Sequence, residues 1–142
     1  MNKQASIGYY ITKSSRLVVR MYRDALAPYN ISPAQTGVLL QLEWNGNLSQ
    51  KQLADHLFLD KVNVHSMVHN LLGKGLLVLE PDPKDKRRQR VSLSTEGRAL
   101  IPKLVEVDKK ISEALVEEFG DSRKISAYSY LSAIVESTTP EL

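Results

Sequence analysis

The 142-residue sequence predicts a mainly α-helical fold that carries a small antiparallel β wing. Apolar residues recur at three- and four-residue steps over several long segments, and helix N-terminal signatures precede those segments. Two short aliphatic runs flank a polar, basic loop, which is typical of a hairpin. The apolar content of 42% and charged content of 25% are ordinary globular values, so we expect a single domain over residues 1–142.

The first predicted helix is long. Between Ile7 and Leu26 apolar residues recur over about five turns, and Pro28 marks the end of the helix. A helix of this length has no evident partner within a short domain. We therefore expect it to bury its apolar stripe against a second copy of the chain.

The second predicted helix has a clear N-terminal signature. Ser32, Pro33 and Gln35 form an N-cap, a proline at the first helical position and a capping-box partner. The only tryptophan, Trp44, lies near the end of this helix and is expected in the core. Leu48 is expected to add a strand of one or two residues to the wing sheet.

Two short helices follow. Ser49 and Gln52 form a second capping box, and Asp60 is the next N-cap candidate. After Asp60, apolar residues recur on one stripe, and Gly75 is expected to end that helix. The buried stripe is Val64, Met67, Val68, Leu71 and Leu72.

The opposite face of this fourth helix is polar and nearly uncharged. Asparagine can bond adenine in two places, serine can bond several bases, and valine can touch a thymine methyl. The face therefore suits base reading, although an ordinary solvated helix face is the alternative. The candidate DNA-reading residues are Val62, Asn63, His65, Ser66, His69 and Asn70, with Ser49 and Gln50 expected on the DNA backbone.

The charge of the chain is concentrated in the predicted wing. Residues 82–90 hold five basic and two acidic side chains, a net charge of +3, which equals the net charge of the whole chain. Such a run is usually a solvated loop, but beside a helix-turn-helix it supplies what phosphate neutralisation requires. The succession of elements thus indicates a winged helix-turn-helix. The expected DNA-contacting wing residues are Lys84, Lys86, Arg87 and Arg88.

Two long helices complete the chain. Thr95 is expected to cap the first of them, which should extend to Gly120 with Phe119 on its apolar face. Asp121 or Ser122 is expected to start the last helix. We expect a DNA-binding lobe over 33–94, with dimerisation helices over 6–30 and 95–137. A homodimer would set two recognition helices roughly 34–36 Å apart and select a pseudo-palindromic operator.

The run LDKVNVHSMVHNLLGKGLLVLEPDPKDKRRQRVSLSTEGRAL resembles the DNA-binding core of the multiple antibiotic resistance regulator (MarR) family. The resemblance rests on the acidic-x-Arg wing Asp85-Lys86-Arg87 and on the strand-to-helix exit VSLSTEG. It implies that Arg87 enters the minor groove and that Asp85 braces it through a charge-assisted contact. Family members often carry small hydroxyl residues and an arginine where this chain has Val62, Asn63, His65 and Ser66, so the operator does not carry over.

The resemblance also implies a small amphipathic or aromatic ligand, bound between the dimer helices and the DNA-binding lobe. Such a ligand would change the spacing of the recognition helices and release DNA. Pocket residues would come from the first, second and fifth helices, with Tyr10, Arg16 and Trp44 as the candidates.

Other chemistries find little support. Cysteine is absent, which excludes disulfides, thiolate metal sites and thiol redox sensing. His65 and His69 have a metal-ligand spacing but no evident third ligand, and no nucleophile elbow or phosphate loop occurs. We therefore expect no metal, no cofactor and no enzyme. No signal peptide or membrane-length apolar run is seen, and a cytoplasmic protein is expected.

Two functions remain. The first is a dimeric, sequence-specific transcriptional regulator, with repression the commoner outcome when a dimer covers a promoter. The alternative is a winged-helix interaction module whose basic wing docks an acidic protein partner.

Overall fold

The computed structural model describes residues 5–117 and 119–138, and within them the chain forms six α-helices, a 3₁₀ turn and three strands. The predicted mainly helical fold with an antiparallel wing is confirmed. In chain order the elements are α1 (Ile7–Leu26), the 3₁₀ turn (Ala27–Tyr29), α2 (Pro33–Asn45), β1 (Leu48–Ser49), α3 (Gln50–Leu57), α4 (Lys61–Gly73), β2 (Leu77–Pro81), β3 (Gln89–Leu93), α5 (Thr95–Val116) and α6 (Asp121–Thr138).

Both predicted capping boxes form. Ser32 Oγ accepts from the Gln35 backbone N–H at 3.1 Å, and Gln35 Oε1 accepts from the Ser32 backbone N–H at 3.1 Å. Ser49 and Gln52 make the same pair of bonds at 3.1 and 2.9 Å. Each cap stabilises its helix by about 1 kcal/mol, so the starts of α2 and α3 are fixed locally.

The start of α5 differs from the prediction by one residue. Ser94, and not Thr95, is the N-cap: its Oγ accepts from the Gly97 backbone N–H at 3.0 Å and donates to the Gly75 carbonyl at 2.6 Å. Thr95 is already helical. Ser94 prevails because its hydroxyl also satisfies a carbonyl of the loop after α4, a partner that local sequence does not reveal.

The three strands form one antiparallel sheet in the order β1-β3-β2. Leu48 pairs with Val91, and Leu77 pairs with Leu93. All four of these side chains are buried. The predicted short strand at Leu48 is confirmed, and it attaches the start of α3 to the wing.

A single core lies between the helices and the inner face of this sheet. Its α2 members are Val38, Leu39 and Leu42. Trp44 was expected there, but its side chain is 67% exposed. Two residues beyond Leu42 correspond to a rotation of about 200° around a helix, so Trp44 lies on the side of α2 that faces away from the core.

The terminal helices differ from each other. The expectation that α1 lacks an intramolecular partner is wrong for its second half, where Val18, Met21 and Tyr22 pack against the core. The first half of α1 is exposed, and so is the apolar face of α6. Phe119, expected to line α5, lies beyond its end and is 53% exposed.

In the part of the chain that the structure describes, no helix is long and apolar enough to span a membrane.

A close contact between α5 and the start of the wing generates the first prediction. A Cβ added at Gly97 would lie 2.2 Å from the Leu76 carbonyl oxygen, a backbone atom that cannot move aside without displacing the wing. Gly97→Ala should therefore lower the free energy of unfolding by about 2 kcal/mol, measured by urea denaturation.

Gly73→Ala is the matched control, since this helical glycine has nothing within 4 Å of an added Cβ. Its stability should stay the same or rise by up to about 1 kcal/mol. Equal stability of Gly97→Ala and the wild type would contradict the inferred contact.

Candidate nucleic-acid interface

The orientation of α4 is set by its buried side chains. Val64, Val68 and Leu71 are each 0% exposed, and their spacing places them on one side of the helix. The opposite side is exposed. All six predicted reading residues lie on this exposed surface: Val62, Asn63, His65, Ser66, His69 and Asn70.

Several polar side chains of this surface are already held by neighbours. Asp60 caps α4 and also contacts the side chain of Asn63, whose Nδ2 donates to Asp60 Oδ2 at 2.9 Å. His65 Nδ1 lies 3.2 Å from Oε1 of Gln50 on α3. The rings of His65 and His69 are 4.2 Å apart between centroids. The first turns of α4 therefore present side chains in defined positions.

Asn70 connects α4 to α2. Its Oδ1 accepts from Gln35 Nε2 at 2.7 Å, and Gln35 is only 8% exposed. Lys74 approaches the same amide, with its Nζ 3.4 Å from Gln35 Oε1, and also donates to the Asn30 carbonyl. The sequence identified Gln35 only as a capping residue, because its partners on α4 are distant in the chain.

The predicted backbone-contacting residues are also engaged. Ser49 Oγ accepts a capping bond, which leaves its hydroxyl hydrogen able to donate elsewhere. Gln50 is partly buried beside His65. These two residues lie where β1 meets α3.

The tip of the wing is a tight turn organised by Asp85. Its Oδ1 accepts from the Arg87 backbone N–H at 3.0 Å, and the Arg88 backbone N–H donates to the Asp85 carbonyl at 3.0 Å. This is the local bonding that favours aspartate at the first turn position. The expected charge-assisted contact between Asp85 and the Arg87 side chain is therefore replaced by a hydrogen bond from the Arg87 backbone N–H. The ion pair of Asp85 is formed with Arg88, whose Nε lies 3.8 Å from Asp85 Oδ2.

This arrangement leaves positive charge available at the tip. Lys84, Lys86 and Arg87 are exposed, and none of them makes a salt bridge within the described residues. The turn places Lys86 and Arg87 at its two central positions. The wing therefore ends in cations that can meet phosphate or enter a minor groove.

The base of the wing is held by a pair that the sequence analysis did not identify. Asp82 is 8% exposed; its Oδ1 accepts from the Lys84 backbone N–H at 2.9 Å, and its Oδ2 lies 3.4 Å from Arg90 Nε. Arg90 also donates to the side chain and carbonyl of Asn47 at 3.2 and 3.3 Å. The hydrogen bond from Lys84 and the charge of Arg90 hold the pKa of Asp82 below its ordinary value, although burial opposes them.

A cavity of about 640 Å³ lies between α1, α2 and α5. At its edge the Tyr22 hydroxyl donates to Asp108, and burial together with this carboxylate raises the pKa of Tyr22, so the hydroxyl keeps its proton. The lining residues are Ser15, Val18, Val19, Tyr22, Arg23, Ser32, Pro33, Ala34, Thr36, Gly37, Leu40 and Asp108.

The helices expected to form a pocket do border this cavity, but the expected residues do not line it. Tyr10 and Arg16 border a separate groove along α1. Trp44 lines neither space. Among the described residues, no group of three or more His, Asp or Glu side chains is placed to hold a metal ion.

Comparisons with known proteins agree with this geometry. A family model described as MarR family matches residues 29–88. The transcriptional regulator SarZ of Staphylococcus aureus is 27% identical over 111 residues, which are 78% of this chain and 74% of SarZ.

Two solved structures are similar over nearly the whole chain. A MarR transcriptional regulator from Methanosarcina mazei Go1 has a TM-score of 0.85 at 26% identity, covering 92% of this chain and 94% of that one. The transcriptional repressor CouR, bound to a 23-mer DNA duplex, has a TM-score of 0.83 at 28% identity, covering 91% and 92%.

The capped helix pair and the three-stranded sheet with its basic hairpin define a winged helix-turn-helix protein. Taken with the family model over residues 29–88 and these relatives, they make the chain similar to transcriptional regulators of the MarR family in both sequence and fold. Its relatives are regulators and not enzymes.

The pair at the base of the wing predicts a pH-dependent contribution to stability. The pKa of Asp82 is lower in the folded chain than in the unfolded chain. Its contribution to the free energy of unfolding is therefore complete above the ordinary carboxyl pKa of about 4, and it is lost as pH falls through the lowered pKa. Asp82→Asn should lower the urea midpoint at pH 7, and its difference from the wild type should shrink below about pH 4.

Asp85→Asn is the control, because its ion pair is longer and more exposed and should contribute less. A difference between Asp82→Asn and the wild type that stays constant from pH 7 to pH 3 would be evidence against the ion pair as the source.

Proposed function

We propose that this protein is a homodimeric, sequence-specific DNA-binding repressor whose operator affinity is modulated by a small ligand. The observation that carries the proposal is the combination of an exposed, nearly uncharged face of α4 with a wing tip whose Lys84, Lys86 and Arg87 make no salt bridge among the described residues. The first suits base recognition and the second suits phosphate or minor-groove binding. Residues 33–94 would form the DNA-binding lobe.

In this proposal α4 enters the major groove. Its N-terminal residues meet base edges, as recognition helices of this class do. Ser49 and Gln50 approach the phosphates at the start of α3, while Arg87 reaches the minor groove beside them. The net +3 of residues 82–90 supplies most of the sequence-independent affinity.

Docking of an acidic protein is the alternative use of the same surface. It is less favoured because CouR, which is similar to this chain over most of its length, is bound to a DNA duplex. Selection of bound sequences from a random duplex pool decides between the two. Enrichment of an inverted repeat supports the DNA reader, and binding of every duplex with equal, salt-sensitive affinity supports the protein-docking module.

Dimerisation is supported by the apolar surface that one chain leaves uncovered. Ile125, Tyr128 and Leu131 of α6 are 65%, 76% and 48% exposed, and Ile7 of α1 is 65% exposed. A groove lined by Ile7, Tyr10, Ile11 and Leu131 joins the two helices. An exposed surface of this kind is typical of a protein interface. A two-fold dimer built on it would present two recognition helices to an inverted repeat and occlude a promoter.

Ligand modulation is supported by the position of the cavity between α1, α2 and α5. Ser32, at its wall, is bonded to Gln35, which in turn bonds Asn70 on α4. A ligand there would act only through different affinities for the free and DNA-bound arrangements. Titration of the selected duplex with a panel of aromatic carboxylates tests this; unchanged affinity with every compound would remove the support for an aromatic acid as the ligand.

The wing gives a prediction for affinity. Arg87→Ala should weaken binding to the selected and the scrambled duplex by a similar factor, and should reduce the slope of log affinity against log salt by about 1. Fluorescence anisotropy at several salt concentrations measures both.

The control removes one positive charge elsewhere. Lys109→Ala changes an exposed residue of α5 and should leave the affinity and its salt dependence nearly unchanged. If Arg87→Ala and Lys109→Ala behave alike, the wing tip does not contact DNA.

The apolar face of α6 gives a prediction for assembly. Tyr128→Glu places a charge in the proposed interface, where burying an unpaired carboxylate is costly, and should shift sedimentation from dimer to monomer. Ser126→Glu, about 200° away on the same helix, is the matched control and should remain dimeric. A dimeric Tyr128→Glu protein would place the interface elsewhere.

A further inference from the structure

The first turn of α4 is held by two hydrogen bonds between Asp60 and Asn63. One carboxylate, that of Asp60, contacts the same residue twice: Oδ1 accepts from the Asn63 backbone N–H at 2.8 Å, and Oδ2 accepts from the Asn63 side-chain Nδ2 at 2.9 Å. The first bond is the ordinary helix cap. The second is not needed for capping, since serine or threonine caps a helix with a single oxygen.

This second bond fixes which way the carboxamide of Asn63 faces. An ionised carboxylate only accepts hydrogen bonds, so Asn63 must turn its Nδ2 toward Asp60, and the opposite orientation would oppose two acceptors. The amide nitrogen has two hydrogens, and Asp60 uses one of them. Within the part of the chain that the structure describes, one N–H and the Oδ1 acceptor of Asn63 have no other partner, and the side chain is exposed.

An N–H donor and a carbonyl oxygen acceptor on one amide are the groups that read adenine in the major groove. The N–H donates to adenine N7, and the oxygen accepts from the adenine N6 amino group. Asn63 is the third residue of α4, in the N-terminal part of the helix that contacts base edges in helix-turn-helix proteins. Both oxygens of Asp60 already have donors, which leaves Asp60 less suited to reading a base itself.

We propose that Asn63 reads an adenine in each operator half-site and that Asp60 is a positioning residue which holds the Asn63 carboxamide in the reading orientation. This inference rests on the proposed DNA-binding function and specifies the base that one side chain selects. A pre-oriented amide loses less side-chain freedom on binding, so part of the discrimination depends on Asp60.

The experiment compares sequence selection by the wild type and by three variants, followed by affinity titrations at fixed salt. Asn63→Ala removes the reader. Asp60→Asn retains an oxygen for the backbone cap but turns the second group into a donor, so it no longer accepts from the Asn63 amide. Gly73→Ala, outside the predicted reading residues, is the control on the same helix, and urea denaturation checks that each variant is folded.

The wild type should prefer adenine at one position of each half-site by about 5- to 150-fold over other bases. Asn63→Ala should reduce that preference to within about twofold at that position only. Gly73→Ala should leave this preference intact. Replacing the adenine by 7-deazaadenine, which lacks the N7 acceptor, or by purine, which lacks the amino group, should weaken binding of the wild type and not of Asn63→Ala.

Asp60→Asn separates positioning from folding. It should lower the adenine preference at least about threefold, while affinity for a scrambled duplex stays the same or rises because a negative charge near the phosphates is removed. A purely structural role would instead lower affinity for all duplexes and the urea midpoint together.

The outcomes also separate this inference from the function on which it rests. If the wild type enriches an operator but Asn63→Ala keeps the same adenine preference, the reading role is overturned and the DNA-binding proposal stands. If Asn63→Ala loses the preference but Asp60→Asn retains it in full, the positioning role of Asp60 is overturned. If the wild type enriches no sequence, the proposed function fails as well.

Discussion

The burial of three aliphatic side chains on α4 is the constraint on which the rest of the interface depends. Val64, Val68 and Leu71 are fully buried, and each contributes roughly 1.5–3 kcal/mol through removal of its surface from water. Rotating the helix by one residue, about 100°, would expose this stripe and bury polar groups. The surface that faces away from the core is therefore determined by packing. Hydrogen bonds with Asp60, Gln50 and Gln35 then fix individual side chains on it.

The two carboxylates of the wing do not simply reduce its positive charge. Asp85 forms the turn that carries Lys86 and Arg87, and Asp82 anchors Arg90 at the base of the hairpin. Arg90 thereby contributes to the sheet and to Asn47, and the charge left for a nucleic acid resides in the tip. In the proposed function the wing supplies affinity without sequence information, whereas the uncharged face of α4 supplies sequence information with little affinity of its own.

Local features of this chain could be predicted from its sequence, and contacts between distant segments could not. The capping boxes at Ser32 and Ser49 depend on partners three residues away, and both form as predicted. The bond from Gln35 to Asn70 joins residues 35 apart, and that from Tyr22 to Asp108 joins residues 86 apart. No periodicity encodes such pairs, which is why the links of α1 to α5 and of α2 to α4 appear only in the structure.

The error at Trp44 has a different origin. Its position two residues after Leu42 already places Trp44 off the buried stripe of α2, so the expectation of a core position conflicts with the helical phase. Helical phase was the better guide here than side-chain hydrophobicity. The same criterion applied to α4 separated its buried and exposed residues correctly.

The division of α1 into two halves bears on how a ligand could act. The second half is tied to α5 through Tyr22 and Asp108 and borders the cavity, whereas the first half carries the exposed apolar residues of the proposed dimer. A molecule bound in the cavity would contact the junction between the proposed dimer and the N-terminus of α2. Because Ser32 and Gln35 form that N-terminus and Gln35 bonds Asn70, a small displacement of α2 would be transmitted directly to α4. In the proposed function, binding and release of DNA would then depend on whether the ligand binds more tightly to the free or to the DNA-bound arrangement.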